Sequence, residues 1–398
     1  MTDDIPDTPP AGDPGPKPGS LEWLADQDPE QGATVEASSG ACTSRAEHDA
    51  LASGLARGLS ATHGVTAGDR VAIALPPGPD LLRTQYALAK LGAAPLLLSP
   101  HAASSAGRRL AAIAGAAILI ADGPATTDRS TDGDSDGGRL RVVPRSALAV
   151  FAERHADGPR LLSGAHPPVD GVQVAAAGDT GGPGRVLVRV RTPDRIALLA
   201  RPFADLLRRV ALAPGATHLL GRRGHAPEPQ FWASVALVTG GVVVTEPAAD
   251  AATLLAALAE HQVGSTVMDL ATLRAITTLP DAVTEGADLT ALQRIILDGP
   301  APDAALVTAC ADLFGDDVLH RVAATPQTGP YAHAGAEDLA ADPAALTPLD
   351  GVTLTRSPAG DVHVTSPLAA DGALGGPAER GDWPAPPAWT GEPVPADG

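Results

Sequence analysis

Short apolar runs alternate with helix-like segments along most of this 398-residue chain. Residues 71–75 and 94–98 are apolar runs typical of buried strands. Residues 79–91 between them open with proline and aspartate, as helix N-termini commonly do. A helix that follows each strand brings the chain back to the same end of the sheet, so the strands pair in parallel. The sequence therefore predicts an α/β protein with layered, largely parallel sheets.

Eight helices are predicted, at residues 47–60, 79–91, 104–115, 203–213, 231–239, 251–261, 271–278 and 302–314. The predicted strands lie at residues 71–75, 94–98, 117–120, 172–176, 217–220, 241–245, 265–268 and 294–297, followed by a hairpin of 352–355 and 362–365. Two stacked sheets would accommodate these strands, with helices between and outside them and a small β-rich subdomain near residues 350–368.

Composition divides the chain into a folded unit and two flanking segments. Residues 1–20 are rich in proline, glycine and aspartate and predict a disordered leader. Residues 21–368 hold the predicted helices and strands, interrupted by an acidic surface loop at 122–138. Residues 369–398 are rich in proline and glycine and predict an irregular tail.

The formal net charge of −19 argues against two classes of partner. A field of that sign repels nucleic-acid backbones and anionic membrane surfaces, so neither is expected as a partner. Cys42 and Cys310 lie far apart and outside any metal-ligand spacing, which favours free thiols in a reducing compartment. The sequence has neither a signal-peptide pattern nor an apolar run long enough to span a membrane, so we expect a cytoplasmic protein.

A glycine-rich run, Ala-Ala-Gly-Asp-Thr-Gly-Gly-Pro-Gly-Arg at residues 176–185, follows the predicted strand 172–176. Backbone N–H groups in such a loop can surround phosphate oxygens, and a threonine hydroxyl can add a hydrogen bond. Gly178, Thr180 and Gly181 are the candidate binding residues. A turn that merely links two strands is the competing interpretation, because a glycine loop without a charged partner is a weak signal.

Read with its neighbours, this loop resembles the TSGTTGxPKG loop of the adenylate-forming enzymes, the family of acyl-CoA synthetases, adenylation domains and luciferases. Four further segments, in the family's order, carry the same resemblance, namely 43–47 (TYxEL), 68–73 (GDRVAI), 90–94 (LKAGA) and 298–302 (SGGAP). The resemblance implies the family's large N-terminal domain, with ATP and Mg²⁺ as cofactors if the chain is active. It also places Gly299 in a turn beside the adenine.

The resemblance also identifies residues that this chain lacks. Gly184 stands where the family has the phosphate-binding lysine, Asp179 replaces a hydroxyl, and Arg185 follows one position late as a displaced cation. Thr325 matches the threonine of the family's YGxTE segment. The glutamate that helps to hold Mg²⁺ is replaced by Pro326, or by Gln327 if the register slips by one, and neither offers an anionic oxygen. No metal ligand is therefore assigned.

Two weaker matches complete the candidate site. Thr-Gly-Glu at 390–392 resembles the family's ribose-binding TGD, with Glu392 in place of the aspartate. His225 falls near a family position between the acyl pocket and the phosphates, although a surface residue is the more common interpretation. Thr180, Arg185 and His225 are the weak catalytic candidates. In the family a mobile C-terminal lid with a catalytic lysine follows this point, and we expect it to be absent here.

Two functional hypotheses follow from the family residues that this chain retains and those that it lacks. The first is a lid-less, catalytically impaired relative of the acyl-CoA synthetases that acts by binding a small carboxylic acid or acyl ligand, or a partner such as an intact synthetase. The second is an active ATP-dependent carboxylate ligase whose lid comes from a separate polypeptide. The first is preferred, because groups that act together in catalysis fail together when several are lost. A new reaction without ATP is a third and weaker possibility.

Overall fold

The computed structural model describes residues 16–17, 20–100, 108, 110–112, 114–123, 140–163, 171–176, 186–191, 193–221, 223–224, 226–247, 250–325, 328–356, 362–369, 372–374 and 393–394. Their helices are α1 (Leu21–Gln27), α2 (Arg45–His63), α3 (Pro79–Leu91), α4 (Ser146–Arg154), α5 (Pro193–Val210), α6 (Pro227–Val238), α7 (Ala251–Glu260), α8 (Leu270–Thr277), α9 (Asp281–Thr284), α10 (Ala304–Phe314) and α11 (Ala336–Ala341). Among these helices none is both long and apolar enough to cross a lipid bilayer.

The strands lie between these helices and continue beyond them. In chain order they are β1 (Gly32–Glu36), β2 (Cys42–Ser44), β3 (Arg70–Ala74), β4 (Ala94–Leu97), β5 (Ile118–Ala121), β6 (Arg141–Pro144), β7 (Gly171–Ala176), β8 (Val186–Arg191), β9 (His218–Leu220), β10 (Val243–Thr245), β11 (Ser265–Met268), β12 (Arg294–Asp298), β13 (Leu319–Thr325), β14 (Gly329–Ala334), β15 (Thr347–Pro348), β16 (Thr353–Arg356), β17 (Val362–Thr365), β18 (Gly372–Leu374) and β19 (Pro393–Val394).

The largest sheet has nine strands in the order β15-β14-β13-β12-β11-β9-β10-β1-β2. Its central strands, from β13 to β1, are parallel, and antiparallel strands extend it at both edges. Ile295 and Leu297 of β12 belong to one apolar cluster, and Ile296 between them belongs to another. Because successive side chains of a strand point to opposite faces, the sheet is buried on both sides.

A second, parallel sheet has the order β4-β3-β5-β6. Val71 and Ile73 of β3 pack with α2 and α3 residues in one cluster, whereas Ala72 and Ala74 pack in a second cluster. This sheet is therefore also covered on both faces. Two small antiparallel sheets, β18-β8-β7 and β16-β17-β19, complete the described fold.

A buried ammonium group joins three helices beside the smaller parallel sheet. Lys90 Nζ of α3 lies 2.6 Å from a Glu22 oxygen of α1 and 2.5 Å from an Asp49 oxygen of α2. It also donates to the Leu161 carbonyl at 2.7 Å. Burial opposes ionisation of Glu22, but Lys90 and the Ser163 N–H outweigh it and lower the pKa of Glu22 to about 2. The Glu22 carboxylate therefore stays charged and paired with Lys90.

The layered α/β architecture expected from the sequence is confirmed. Helix α3 has the bounds predicted for it, and β16 and β17 pair as the predicted hairpin. Two parts of the prediction differ from the structure. One small sheet, β18-β8-β7, forms in addition to the two larger sheets and the β-rich subdomain that were expected, and the segment expected to be an irregular tail contributes β18 and β19. Helix α5 also begins ten residues before its predicted start at 203 and contains Pro202.

Replacing Lys90 with methionine would leave Glu22 as a buried charge without its cation and would leave Asp49 with Arg160 as its remaining described partner. Breaking one partner out of a buried ion pair costs about 3–5 kcal/mol. We therefore expect Lys90→Met to lower the free energy of unfolding by that amount, measured by urea denaturation. Arg274→Met is the matched control, because Arg274 and Asp303 form a pair whose side chains are about half exposed, and such pairs contribute about 1 kcal/mol or less. Equal losses in the two variants would refute a role for burial.

Because four histidines are buried, we expect the fold to lose stability in mild acid. Burial lowers the pKa of His48 and His218 to about 3 and the pKa values of His320 and His333 to about 4. In the unfolded chain the pKa of a histidine is about 6.5. Between that pH and the lower pKa values of the folded state, the unfolded state therefore binds more protons than the folded state. The stabilisation is present above about pH 6.5 and is lost as the pH falls toward 4.

Urea denaturation at about pH 7 and about pH 5 should therefore show a fall of several kcal/mol in the free energy of unfolding. His48→Leu should make this fall smaller. Its two ring nitrogens have no hydrogen-bond partner in the described structure, so leucine removes a titrating group without breaking a bond. Identical stabilities at the two pH values would contradict the buried neutral state.

Candidate functional site

Three neighbouring strands of the nine-stranded sheet end side by side, two of them at aspartates. β9 is followed by Gly221, β11 by Asp269, and β12 ends with Asp298. These strands are parallel neighbours, so their carboxyl ends meet at one edge. In open parallel sheets, ligands bind in the crevice outside these carboxyl ends. We call this region the strand-end site.

An ion-pair cluster lies at the strand-end site. The Arg223 guanidinium is 3.1 Å from an Asp298 oxygen and 4.0 Å from Oδ2 of Asp269. The Arg223 side chain is 47% exposed, whereas those of Asp298 and Asp269 are 15% and 21% exposed. Burial raises the pKa of Asp298; Arg223 opposes this and Asp269 adds to it. With both carboxylates ionised, the cluster has one negative charge in excess.

A cavity of about 250 Å³ is lined by Arg223 and Asp269. Asp250, also on its wall, and Asp269 cap the N-termini of α7 and α8. Asp250 accepts from the Ala252 and Thr253 N–H groups at 3.0 Å. Apolar side chains supply much of the remaining wall, namely those of Ala251, Leu254, Val267, Met268, Ala271 and Ala275.

The turn after β12 holds Gly299 in a left-handed backbone conformation. Gly299 has φ +126°, a conformation that side-chain-bearing residues rarely adopt, and no atom lies within 4 Å of where its Cβ would be. Its carbonyl oxygen is 3.5 Å from Nε of Arg321. The structure therefore leaves open space beside Gly299, and its role in binding adenine stays a prediction.

Thr325 is already engaged within its own hairpin. Its Oγ1 lies 2.9 Å from Thr328 Oγ1 and accepts from the Thr328 N–H at 3.1 Å. These bonds close the turn between β13 and β14, where Thr325 pairs with Gly329. Within the described residues, no group of three or more histidine, cysteine, aspartate or glutamate side chains is arranged to hold a metal ion. The described donors at this hairpin therefore do not fit Mg²⁺.

The other predicted site residues all lie outside the described part of the chain. These are Gly178, Thr180, Gly181, Arg185, His225 and Glu392. The structure does describe β7 and β8, which flank the glycine-rich run and pair antiparallel from Ala176↔Val186 to Gly171↔Arg191. Of the candidates, the structure therefore places only Gly299 and Thr325.

Arg223 was assigned no role from the sequence. Arg223 pairs with Asp298, which is distant in sequence and was noted only as part of a turn. Asp269 carried one available signal, since it stands two residues before the predicted helix 271–278, and aspartate is a common helix cap. The pairing itself depends on the sheet register, which no local pattern reveals.

Comparisons with known proteins agree with this fold. Residues 21–172 match the family described as AMP-binding enzyme. The structure is similar to the N-terminal domain of FACL13 from Mycobacterium tuberculosis, with a TM-score of 0.74, 18% identity, and coverage of 90% of this chain and 91% of that chain. No curated protein sequence matches this one.

Two complexes among the similar structures contain small ligands. O-succinylbenzoate coenzyme A synthetase from Bacillus subtilis in complex with AMP has a TM-score of 0.67 and 15% identity, covering 90% of this chain and 72% of that chain. The complex of VinN with L-aspartate has a TM-score of 0.72 and 17% identity, with 90% coverage of each chain. At these identities the likeness concerns the fold alone.

Gly299→Ala tests whether the turn after β12 requires glycine. Holding alanine at the observed positive φ costs about 1–3 kcal/mol, and we expect a corresponding fall in the thermal midpoint. Gly286→Ala is the matched control, because its added Cβ also meets no atom within 4 Å and its φ lies outside the left-handed region. Equal effects at the two positions would show that the turn is not constrained.

Proposed function

We propose that this chain, whose fold is that of the N-terminal domain of an acyl-CoA synthetase, binds a small ligand without efficiently forming an acyl adenylate. The observation that carries this proposal is the hairpin that follows β13. Thr325 closes the hairpin with Thr328, and the sequence continues with Pro326 and Gln327. The position that the resemblance assigns to a metal-binding carboxylate thus has no anionic side chain.

Adenylate formation demands strong positive charge around the phosphates. Negative charge redistributes over phosphate oxygens during transfer, and metal ions and lysine or arginine side chains stabilise it. In the glycine-rich run this chain has Gly184 in place of lysine and Asp179 in place of a hydroxyl. Each change removes stabilisation or adds repulsion, so impairment of the chemistry is the expected consequence.

A ligand-binding role is supported by features that remain. The cavity at the strand-end site and the open Gly299 turn lie where ligands bind in this class of sheet. VinN was obtained with L-aspartate and O-succinylbenzoate coenzyme A synthetase with AMP, so related folds hold small ligands. Action through an intact synthetase as partner belongs to the same proposal.

The alternative is an active ATP-dependent carboxylate ligase whose lid is supplied by a separate polypeptide. It is favoured by Thr180 and Glu392, which retain a hydroxyl and a carboxylate at positions matched by the resemblance, and by Arg185 as a displaced cation. The reaction would join a carboxylate to the α-phosphate of ATP and release pyrophosphate. ATP binding and turnover distinguish the two.

We expect the purified chain to show no pyrophosphate exchange with mixed carboxylic acids and no binding of millimolar ATP with Mg²⁺. The reason is the loss of the cation and the metal carboxylate described above. Isothermal titration calorimetry and an exchange assay measure the two quantities, with an active acyl-CoA synthetase as positive control and circular dichroism to establish folding.

Gln327→Glu combined with Gly184→Lys adds back one carboxylate and one cation. Stronger ATP binding by this double variant than by either single variant would support the proposal that the chain is catalytically impaired. Exchange by the unmodified chain, alone or with an added lid polypeptide, would instead establish the ligase.

A further inference from the structure

Two polar side chains on the strands that follow Gly299 are almost fully buried but have little use for their polar ends within the described fold. Arg321 of β13 is 6% exposed, and Tyr331 of β14 is 7% exposed. Among the described residues, the Arg321 guanidinium makes one long hydrogen bond, from Nε to the Gly299 carbonyl at 3.5 Å, and the Tyr331 hydroxyl makes none.

The polar ends of both side chains reach space that solvent can enter. Nε1 of Trp232, in the same apolar cluster as Tyr331, is a buried polar atom that lacks a described partner and is sealed from solvent. In the described part of the chain, neither the terminal nitrogens of Arg321 nor the Tyr331 hydroxyl belongs to this sealed class. Both groups are therefore accessible to a small ligand, although most of each side chain is buried.

The position of Arg321 in the sheet explains why the described fold does not neutralise it. Arg321 is in register with Leu297 of β12 and Ala334 of β14, and both of these neighbours belong to one apolar cluster. Asp298, beside the Gly299 turn, is paired with Arg223 instead. Burying a cation away from anions is unfavourable, so a ligand that supplies an anion would stabilise this arrangement.

Arg321 and Tyr331 are close enough to influence each other. Burial raises the pKa of the Tyr331 hydroxyl, and the positive charge of Arg321 opposes that rise. The hydroxyl stays protonated near neutral pH and can donate a hydrogen bond. Burial also lowers the pKa of Arg321, but arginine stays charged in proteins because its ordinary pKa is so high. One positive charge and one hydroxyl donor are thus available together.

These donors match a carboxylate. With Nε–H of Arg321 directed to Gly299, its two terminal nitrogens remain, and such a pair can bind both oxygens of one planar carboxylate. One carboxylate neutralises one guanidinium, whereas a phosphate group carries about −1.5 to −2 at neutral pH and would keep excess negative charge here. No atom lies within 4 Å of where a Gly299 Cβ would be, which leaves room beside the guanidinium.

We propose that Arg321 and Tyr331 bind the carboxylate of a small organic acid beside the Gly299 turn. This inference deepens the proposed ligand-binding function and rests on it. Neither residue lies on the wall of the cavity at the strand-end site, so the carboxylate site is distinct from that cavity. The resemblance assigns the space beside Gly299 to adenine, and an organic acid held there would use the space without ATP.

Four probes test the chemistry of the ligand. Pentanoate, pentanol, pentylammonium and inorganic phosphate are titrated into the full chain by ligand-observed NMR, without ATP or Mg²⁺. We expect pentanoate to bind at least about tenfold more tightly than each of the others. Because ATP is absent, the outcome is separate from that of the proposed function: pyrophosphate exchange would refute impaired adenylation, whereas failure of pentanoate to bind would refute the carboxylate site.

Variants then assign the binding to named residues. Arg321→Gln should weaken pentanoate binding about tenfold and leave pentanol binding unchanged, since only the carboxylate uses the guanidinium. Tyr331→Phe removes the hydroxyl alone and should weaken pentanoate binding about threefold. Arg274→Gln is the matched control, because it removes the same charge from a half-exposed pair with Asp303, and it should leave pentanoate binding unchanged.

Urea denaturation separates a binding role for Arg321 from a structural one. Because no described carboxylate pairs with Arg321, Arg321→Gln should be at least as stable as the unmodified chain when no ligand is present. A loss of stability as large as that of Lys90→Met would identify a structural arginine and overturn the proposal. Absence of pentanoate binding to the folded chain at millimolar concentration, tighter binding of phosphate, or equal effects of Arg321→Gln and Arg274→Gln would also overturn it.

Discussion

The ammonium group of Lys90 holds three helices together. It pairs with Glu22 of α1 and Asp49 of α2 from its own position on α3, with all three side chains almost fully buried. A charge removed from water is stable only with its partners in place, so the three helices pack in one arrangement. From α3, Gln85 donates to Gln230 of α6 at 2.7 Å, and α6 packs against the nine-stranded sheet. The smaller sheet and the strand-end site are thereby linked through hydrogen-bonded helices.

Local chemistry explains which elements the sequence predicts well. Helix α3 has Pro79 at its first position and Gly92 in the left-handed conformation at its end, and its predicted and observed bounds agree. β1 and β2 were missed because they are short and carry polar residues, with their pairing supplied by β10 and by each other. Lys90 entered only as part of a family resemblance; its buried role depends on partners 68 and 41 positions away.

The sequence likewise predicts some features of the strand-end site and misses others. Gly299 was assigned to a turn by the family resemblance, and the structure gives it a positive φ, which glycine adopts readily; its role in binding stays a prediction. The ion pair of Arg223 with Asp298 was not predicted, since it joins the loop after β9 to the end of β12 across β11, which lies between them. Thr325 was predicted as a binding residue from sequence alone, and only the structure reveals that Thr328 already occupies its hydroxyl. Sequence patterns identify which residues stand at strand ends, whereas side-chain partners follow from sheet order.

The sign of the charge at the strand ends bears on the proposed loss of adenylation. An acyl-adenylating site must attract a triphosphate and a carboxylate, both anions, and therefore benefits from uncompensated positive charge. Here the single described arginine of the cavity is paired with aspartates, which outnumber it. These ion pairs leave little free positive charge for either substrate of adenylation, which supports the proposal that the chain forms acyl adenylates inefficiently.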